Sequence, residues 1–233
     1  MIPELKVPYL RESQIEHAAN ELLHKYAKAK GKPVRAPIDV ENIHEGFFKL
    51  DLVYIDLPDF NGVADVLGAT FIKDQRVFID ESLMIDGKEG RLAFTLAHEG
   101  GHWYLHRPLI EMEQVTAPLF GKEQVREQPT IFCRSSQKKA PAEWQADKFA
   151  ACLLMPAADV RATVRALYGD KPPTWEGVEA KRKARELDDN LRDLATEVMA
   201  KGNFTNVSNE AMRYRLLDLS LVLDASNPQR SLL

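Results

Sequence analysis

Two histidines in the stretch FTLAHEGGHWYLH, residues 94–106, are spaced to bind one metal ion. His98 and His102 are four residues apart, so on an α-helix both imidazoles project from the same face. Glu99 lies about 100° around the helix from His98, where its carboxylate can reach a reacting water without being a ligand itself. This H-E-x-x-H pattern predicts a catalytic zinc site.

A second motif, EWQADKFAACLLMP, residues 143–156, supplies candidates for a third ligand. A catalytic zinc commonly has three protein ligands and an open fourth position. Glu143 and Asp147 are four residues apart, so both carboxylates share one face of a second helix. One carboxylate can bind zinc while the other accepts the N–H of a ligating histidine and fixes its tautomer. Glu143 is the candidate for the third ligand.

Both patterns also occur in proteins without a metal. A bare H-E-x-x-H arises by chance in about one chain in a hundred, and acidic pairs at this spacing are common on solvated helix faces. Two observations favour the metal. The first motif lies in an otherwise apolar helix, where a buried histidine or glutamate needs a partner. Gly100 and Gly101 each cost that helix about 1 kcal/mol, which close packing beside a site would explain.

The composition is that of an ordinary globular protein. The 233 residues are 45% hydrophobic and 28% charged, with a formal net charge of -4. We therefore expect one domain with at most a small appendage, and no direct contact with nucleic acid or a membrane. No apolar run reaches the ~20 residues of a membrane span, and the N-terminus lacks the apolar core of a signal peptide. Two cysteines do not form a disulfide framework, so we expect a cytoplasmic protein.

Periodicity around the motifs predicts an α+β fold. Residues 14–30 have helical spacing, and Asp39 is a candidate N-cap for a short second helix. Runs rich in β-branched and aromatic residues predict strands, the last two of them joined as a hairpin: 52–57, 62–72 and 75–80. The first motif helix is predicted to end at Pro108, and four prolines predict a long loop with short elements over 107–142.

The remaining sequence is predicted to be helical. The expected helices are 141–156, 159–168, 178–201 and a final helix with Ser208 as its N-cap. In the final helix Met212, Leu216 and Leu219 form an apolar stripe. We divide the chain into a zinc domain over 1–170 and a helical C-terminal segment over 171–233.

The two motifs together resemble the ImmA/IrrE family of metallo-endopeptidases, cytosolic bacterial and phage proteins with a thermolysin-like zinc core. The segments PIDVENI and FTNVSNEAMRYRLLDLSLV and the β-hairpin occur in the family's order, so the resemblance covers most of the chain. It implies a zincin-like core with a small mixed or antiparallel sheet and two ligand-bearing helices. One departure is Gly100, where a larger apolar residue is usual, and this bears on packing more than on chemistry.

The resemblance also implies roles for the motif residues. His98, His102 and Glu143 would bind zinc, Glu99 would be the general base, and Asp147 would hold the outer nitrogen of a histidine ligand. The implied function is a zinc-dependent endopeptidase that cleaves a helix-turn-helix repressor and so derepresses stress-response or mobile-element genes. The hairpin is a candidate edge strand for an extended substrate. The alternatives are a metal-stabilised module that binds a repressor or antitoxin without cutting it, and a purely structural zinc.

Several residues near the motifs are left with more than one role. His106, Tyr104 and Tyr214 are candidate donors to the oxyanion of the reaction, and the sequence does not choose among them. His106 continues the i+4 series from His102, so it could instead be a ligand-like neighbour or a cap at a helix C-terminus, where a histidine is stabilising, and we favour the cap. Cys133 is a candidate latency ligand whose thiolate would fill the open zinc position. It is otherwise a small buried apolar residue.

Overall fold

The computed structural model describes residues 5–58, 66–116, 131–134, 140–184, 186 and 189–226, without the side chains of 113–116 and 131–134. The chain forms two compact units. The first comprises Met1–Val34 and Ile38–Leu153, and the second comprises Arg35–Pro37 and Leu154–Leu233. The division into functional domains at residue 170 stays a prediction. In the described part of the chain, every helix is too short or too polar to cross a membrane.

The first unit contains five α-helices among its described residues, and two of them carry the motifs. They are α1 (Glu12–Lys30), α2 (Val40–Asn42), α3 (Glu89–Gly101), α4 (Arg107–Thr116) and α5 (Pro141–Leu154). Two π-helical turns continue α2 and α3, at Ile43–Phe48 and His102–His106. The predicted helix start at Asp39 is confirmed, because its side chain accepts a hydrogen bond from the N–H of Asn42 at 3.1 Å. The predicted first helix is confirmed as well, and Gly31 ends it in the left-handed conformation.

One mixed sheet of four strands lies beside the first motif helix. Its strands are β1 (Asp51–Ile55), β2 (Val66–Phe71), β3 (Arg76–Asp80) and β4 (Ile131–Arg134), in the order β1-β3-β2-β4. β1 is parallel to β3, whereas β2 is antiparallel to both β3 and β4. The predicted hairpin is confirmed as β2 and β3. Both hairpin strands are inner strands, however, so the expectation that the hairpin supplies a free edge is wrong. The edge positions of this sheet belong to β1 and β4.

The segment 107–142 contains more regular structure than predicted. α4 extends the first motif helix through Thr116, and β4 adds a strand to the sheet. Pro108 therefore does not end the helix. Residues 117–130 and 135–139 are outside the described residues.

The second unit is mainly helical. Its elements are α6 (Ala157–Tyr168), α7 (Val178–Ala184), α8 (Asp189–Gly202), α9 (Asn209–Asp218) and the parallel pair β5 (Thr174–Trp175) and β6 (Leu223–Asp224). The single helix predicted over 178–201 is wrong. Glu186 donates its N–H to the carbonyl of Lys181, five residues back, which is a helix-ending bond, and α8 begins anew at Asp189. The predicted N-cap Ser208 is confirmed by its bond from the N–H of Ala211.

Candidate metal centre

α3 places the first motif in the interior of the first unit. His98, Glu99 and His102 are all buried. Because the helix is apolar where it meets the sheet, these polar side chains lack water and must satisfy one another. The motif is therefore a buried polar cluster and not a solvated helix face.

A π-helical turn carries the second histidine. Arg107 donates its N–H to the carbonyl of His102, five residues back, so the helix is widened by one residue at His102–His106. The wider turn restarts the hydrogen-bond ladder before α4. Pro108 then falls in the first turn of α4, where a missing N–H leaves no helical bond unmade. This accounts for the difference from the predicted helix end.

Three potential ligands converge on one point. Nε2 of His98 lies 3.3 Å from Oε2 of Glu143, and Nε2 of His102 lies 3.3 Å from its Oε1. The two Nε2 atoms are 2.9 Å apart. Four-coordinate zinc with ligands at about 2.0–2.1 Å separates neighbouring ligand atoms by about 3.3 Å. Two imidazoles and one carboxylate at this spacing fit a zinc ion, and among the described residues they are its three candidate ligands.

Close packing of α5 against α3 brings Glu143 to the histidines. A Cβ atom on Gly101 would lie 3.2 Å from Cα of Ala146 and from Cδ1 of Phe149. Glycine at this position therefore lets the two helices approach closely, as the sequence suggested. Burial raises the pKa of Glu143, but its close contacts with the imidazoles of His102 and His98 outweigh burial and hold that pKa well below its usual range. Glu143 is thus a carboxylate at neutral pH, which is the form that binds a metal.

The outer nitrogens of the two histidines have different partners. Nδ1 of His98 lies 2.9 Å from Oδ1 of Asp147, one turn beyond Glu143 on α5. Nδ1 of His102 lies 2.9 Å from Nδ1 of His106, whose Nε2 lies 3.0 Å from Oε1 of Gln145. Both ligand rings are therefore oriented through their Nδ1 atoms, that of His98 by a carboxylate and that of His102 by a second imidazole.

The structure does not support a helix cap or an oxyanion donor at His106. The residue is buried and the helix continues past it into α4, so it caps no terminus. Both of its ring nitrogens already face His102 and Gln145. Sequence reasoning missed Gln145. Its one signal is an amide between Ala142 and Phe149 on the apolar face of α5.

Glu99 points from α3 towards strand β2. Its Oε2 accepts a hydrogen bond of 2.5 Å from the hydroxyl of Thr70. A Cβ atom on Gly68 would lie 2.5 Å from the other carboxylate oxygen, Oε1, so glycine is required for this approach. Within the described residues, Oε1 has no hydrogen-bond partner. Burial raises the pKa of Glu99 to about 7, against the opposing effects of His98 and Thr70.

The family of the chain follows from a comparison with family models. The Peptidase_M78 model, described as IrrE N-terminal-like domain, matches residues 48–175, which is more than half of the chain and includes both motifs. The chain belongs to this family. The resemblance read from the sequence is confirmed, as are the α+β fold with a zincin-like core and a function of the metallopeptidase type. No curated protein matches the chain.

The other candidate site residues of this IrrE-like chain are Tyr104, Tyr214 and Cys133. The hydroxyl of Tyr104 contacts Glu21 and Lys25 on α1 at 3.1 and 3.2 Å, and its oxyanion role stays a prediction. Tyr214 belongs to the second unit, and its role stays a prediction. The backbone of Cys133 pairs with Gly68 in β4, but its side chain is outside the described residues. Latency through Cys133 also stays a prediction.

His44 lies against Gly100 of α3 in the interior of the first unit. It is buried, and its Nδ1 lies 2.8 Å from the carbonyl of Val40. A Cβ atom on Gly100 would lie 3.2 Å from Cε1 of His44. The imidazole thus occupies the space beside Gly100, which accounts for glycine where the resemblance implied a larger apolar residue.

Proposed function

We propose that the chain is a zinc-dependent endopeptidase that cleaves a protein partner, and that the partner is a helix-turn-helix repressor. The observation that carries the catalytic part is a three-ligand set with a buried glutamate beside it. A purely structural zinc is usually enclosed by four protein ligands. Among the described residues three candidate ligands converge, and the neighbouring Glu99 is not one of them.

Zinc is supported by the chemistry of the ligands. Two neutral imidazoles and one carboxylate form a set that catalytic zinc commonly uses. When bound, zinc supplies a Lewis acid that polarises a carbonyl and acidifies water at neutral pH. Asp147 accepts the Nδ1–H of His98 and thereby keeps Nε2 of that ring free for the ion.

Glu99 is the general base of the proposed reaction. Its carboxylate takes a proton from the attacking water and passes it to the leaving nitrogen of the scissile peptide bond. Thr70 holds one carboxylate oxygen at 2.5 Å, which leaves Oε1 for the proton transfer. The surroundings are buried, so the charge that develops during the reaction is poorly screened and the position of Glu99 has a large effect.

The partner and the compartment rest on the family resemblance. In the ImmA/IrrE family the substrate is a repressor, and its cleavage changes transcription of stress-response or mobile-element genes. We therefore propose a cytoplasmic regulatory protease whose contact with DNA is indirect, through the repressor it removes.

Purified protein tests the proposal. We expect about one equivalent of zinc by mass spectrometry and site-specific cleavage of a helix-turn-helix repressor, to be sought first among the genes next to this one. A chelator should stop cleavage, and zinc added back should restore it. If the protein binds the repressor without cutting it, with zinc fully loaded, the protein is a binding module. If it neither binds nor cuts that repressor but cleaves another protein, only the proposed substrate is wrong.

A further inference from the structure

We propose that His106 and Gln145 are positioning residues for the metal ligand His102. A hydrogen-bond chain that begins at the backbone carbonyl of Pro8 fixes the tautomer of both histidines and leaves Nε2 of His102 free to bind the ion. This inference rests on the proposed metal site, but it does not depend on which protein is cleaved.

The direction of the chain is set at its outer end. Nε2 of Gln145 lies 2.8 Å from the carbonyl oxygen of Pro8, and a carbonyl oxygen can only accept. The amide nitrogen of Gln145 therefore faces Pro8, and its oxygen faces His106. Because that oxygen also accepts only, Nε2 of His106, 3.0 Å away, must carry a proton.

The proton on Nε2 of His106 in turn fixes the tautomer of the ligand His102. A neutral imidazole protonated on Nε2 has a bare Nδ1, which accepts a hydrogen bond. Nδ1 of His102, at 2.9 Å, must then be the donor. His102 is thus protonated on its outer nitrogen, and the lone pair of its Nε2 points towards Glu143 and His98.

The opposite tautomer is excluded by the pairing on both sides of His106. A proton on Nδ1 of His106 would leave Nε2 and the oxygen of Gln145 facing each other as two acceptors. It would also require a bare Nδ1 on His102 and place that histidine's proton on the nitrogen that faces the ion. His102, His106 and Gln145 are each at most 1% exposed, so water cannot relieve the mismatch.

The two ligand histidines are consequently held by different means. His98 is oriented by the carboxylate of Asp147, which is about one-fifth exposed. His102 is oriented by a neutral hydrogen-bond chain, His106 and Gln145, which is buried. A carboxylate in place of His106 would put a further negative charge near Glu143 in a region without solvent. The imidazole and amide give the same orientation without that charge.

Nitrogen-15 NMR of the histidine rings in the zinc-loaded wild-type protein tests the tautomers directly. We expect His106 to carry its only proton on Nε2 and His102 to carry its only proton on Nδ1. A proton on Nδ1 of His106, or on both of its nitrogens, would overturn the proposal whatever the activity of the protein.

Zinc affinity, measured by competition with a chelator in the absence of any substrate, provides the second test. Gln145→Met and His106→Phe should weaken zinc binding by about 10- to 100-fold, the range for losing a group that orients a metal ligand. Lys148→Met is the matched control on α5. Its ammonium pairs with Glu12 at 2.8 Å, outside the chain from Pro8 to His102, so affinity should not change.

Affinity equal to wild type in folded Gln145→Met and His106→Phe proteins would show that the chain does not position His102. If these variants lose affinity as expected but the wild-type protein cleaves no protein, the positioning role stands and the peptidase proposal fails. The two ideas are therefore separable by the same set of proteins.

Discussion

Substituting Gly68 with alanine tests how strictly strand β2 sets the position of Glu99. The new Cβ atom would lie 2.5 Å from Oε1 of Glu99 and 2.9 Å from its Cδ, closer than a Cβ atom approaches a non-bonded oxygen or carbon atom. The carboxylate is buried and held by Thr70, so relief requires Glu99 to move by about 1 Å to reach ordinary contact distances near 3.5 Å. A misplacement of that size in a catalytic group costs about 100-fold in rate.

The assay for Gly68→Ala is the rate of repressor cleavage together with the zinc content. We expect kcat/KM to fall about 100-fold, equivalent to about 2.7 kcal/mol, while zinc stays bound because the three ligands are untouched. The same substitution in a Glu99→Gln background is the control. If alanine acts through Glu99, it should lower the residual activity little further. Wild-type cleavage by Gly68→Ala, or a loss of activity that follows a loss of zinc, would refute this reasoning.

Three further outcomes are expected. Thr70→Val should lower cleavage about 10-fold with zinc retained, and Thr70→Ser, which keeps the hydroxyl, should restore most of it; equal rates for the two variants would remove Thr70 from the mechanism. Burial lowers the pKa of His44 from 6.5 to about 4. Between pH 6.5 and 4, therefore, His44 binds a proton in the unfolded chain but not in the folded chain. The free energy of unfolding should therefore fall by up to about 3 kcal/mol between pH 6.5 and 4, and urea titrations should show this slope flattened in His44→Gln but not in the exposed-site control His17→Gln. His98→Ala should lose zinc first and activity in consequence, and mass spectrometry showing full zinc content would contradict its role as a ligand.

Helical spacing made the convergent residues predictable. His98, His102 and Glu143 lie on helices whose apolar periodicity is strong, so both the elements and the shared faces could be read from the sequence. Strands β1, β2 and β3 and their hairpin were equally visible in the β-branched runs, whereas β4 was not predicted.

The features that the sequence did not predict depend on tertiary contacts or backbone geometry that leave no local sequence signal. A proline after a helical run normally ends the helix. Here the π-helical turn at His102–His106 places Pro108 in the first turn of α4, where the helix can continue. Thr70 and Gly68 act on Glu99 across a gap of about 30 residues, so neither could be assigned to the site by spacing. The contact of the buried His44 with Gly100 joins two segments far apart in the sequence and likewise has no local signal.

The central claim is that Glu99 performs the chemistry while other residues hold the metal. The most direct measurement is repressor cleavage by Glu99→Gln, with zinc content and repressor binding measured on the same preparation. We expect zinc and binding at wild-type levels and cleavage at least ~100-fold slower, the usual scale for losing a positioned general base. A Glu99→Gln protein that cleaves the repressor as fast as wild type, or that regulates it fully in cells without cleavage, would contradict the account.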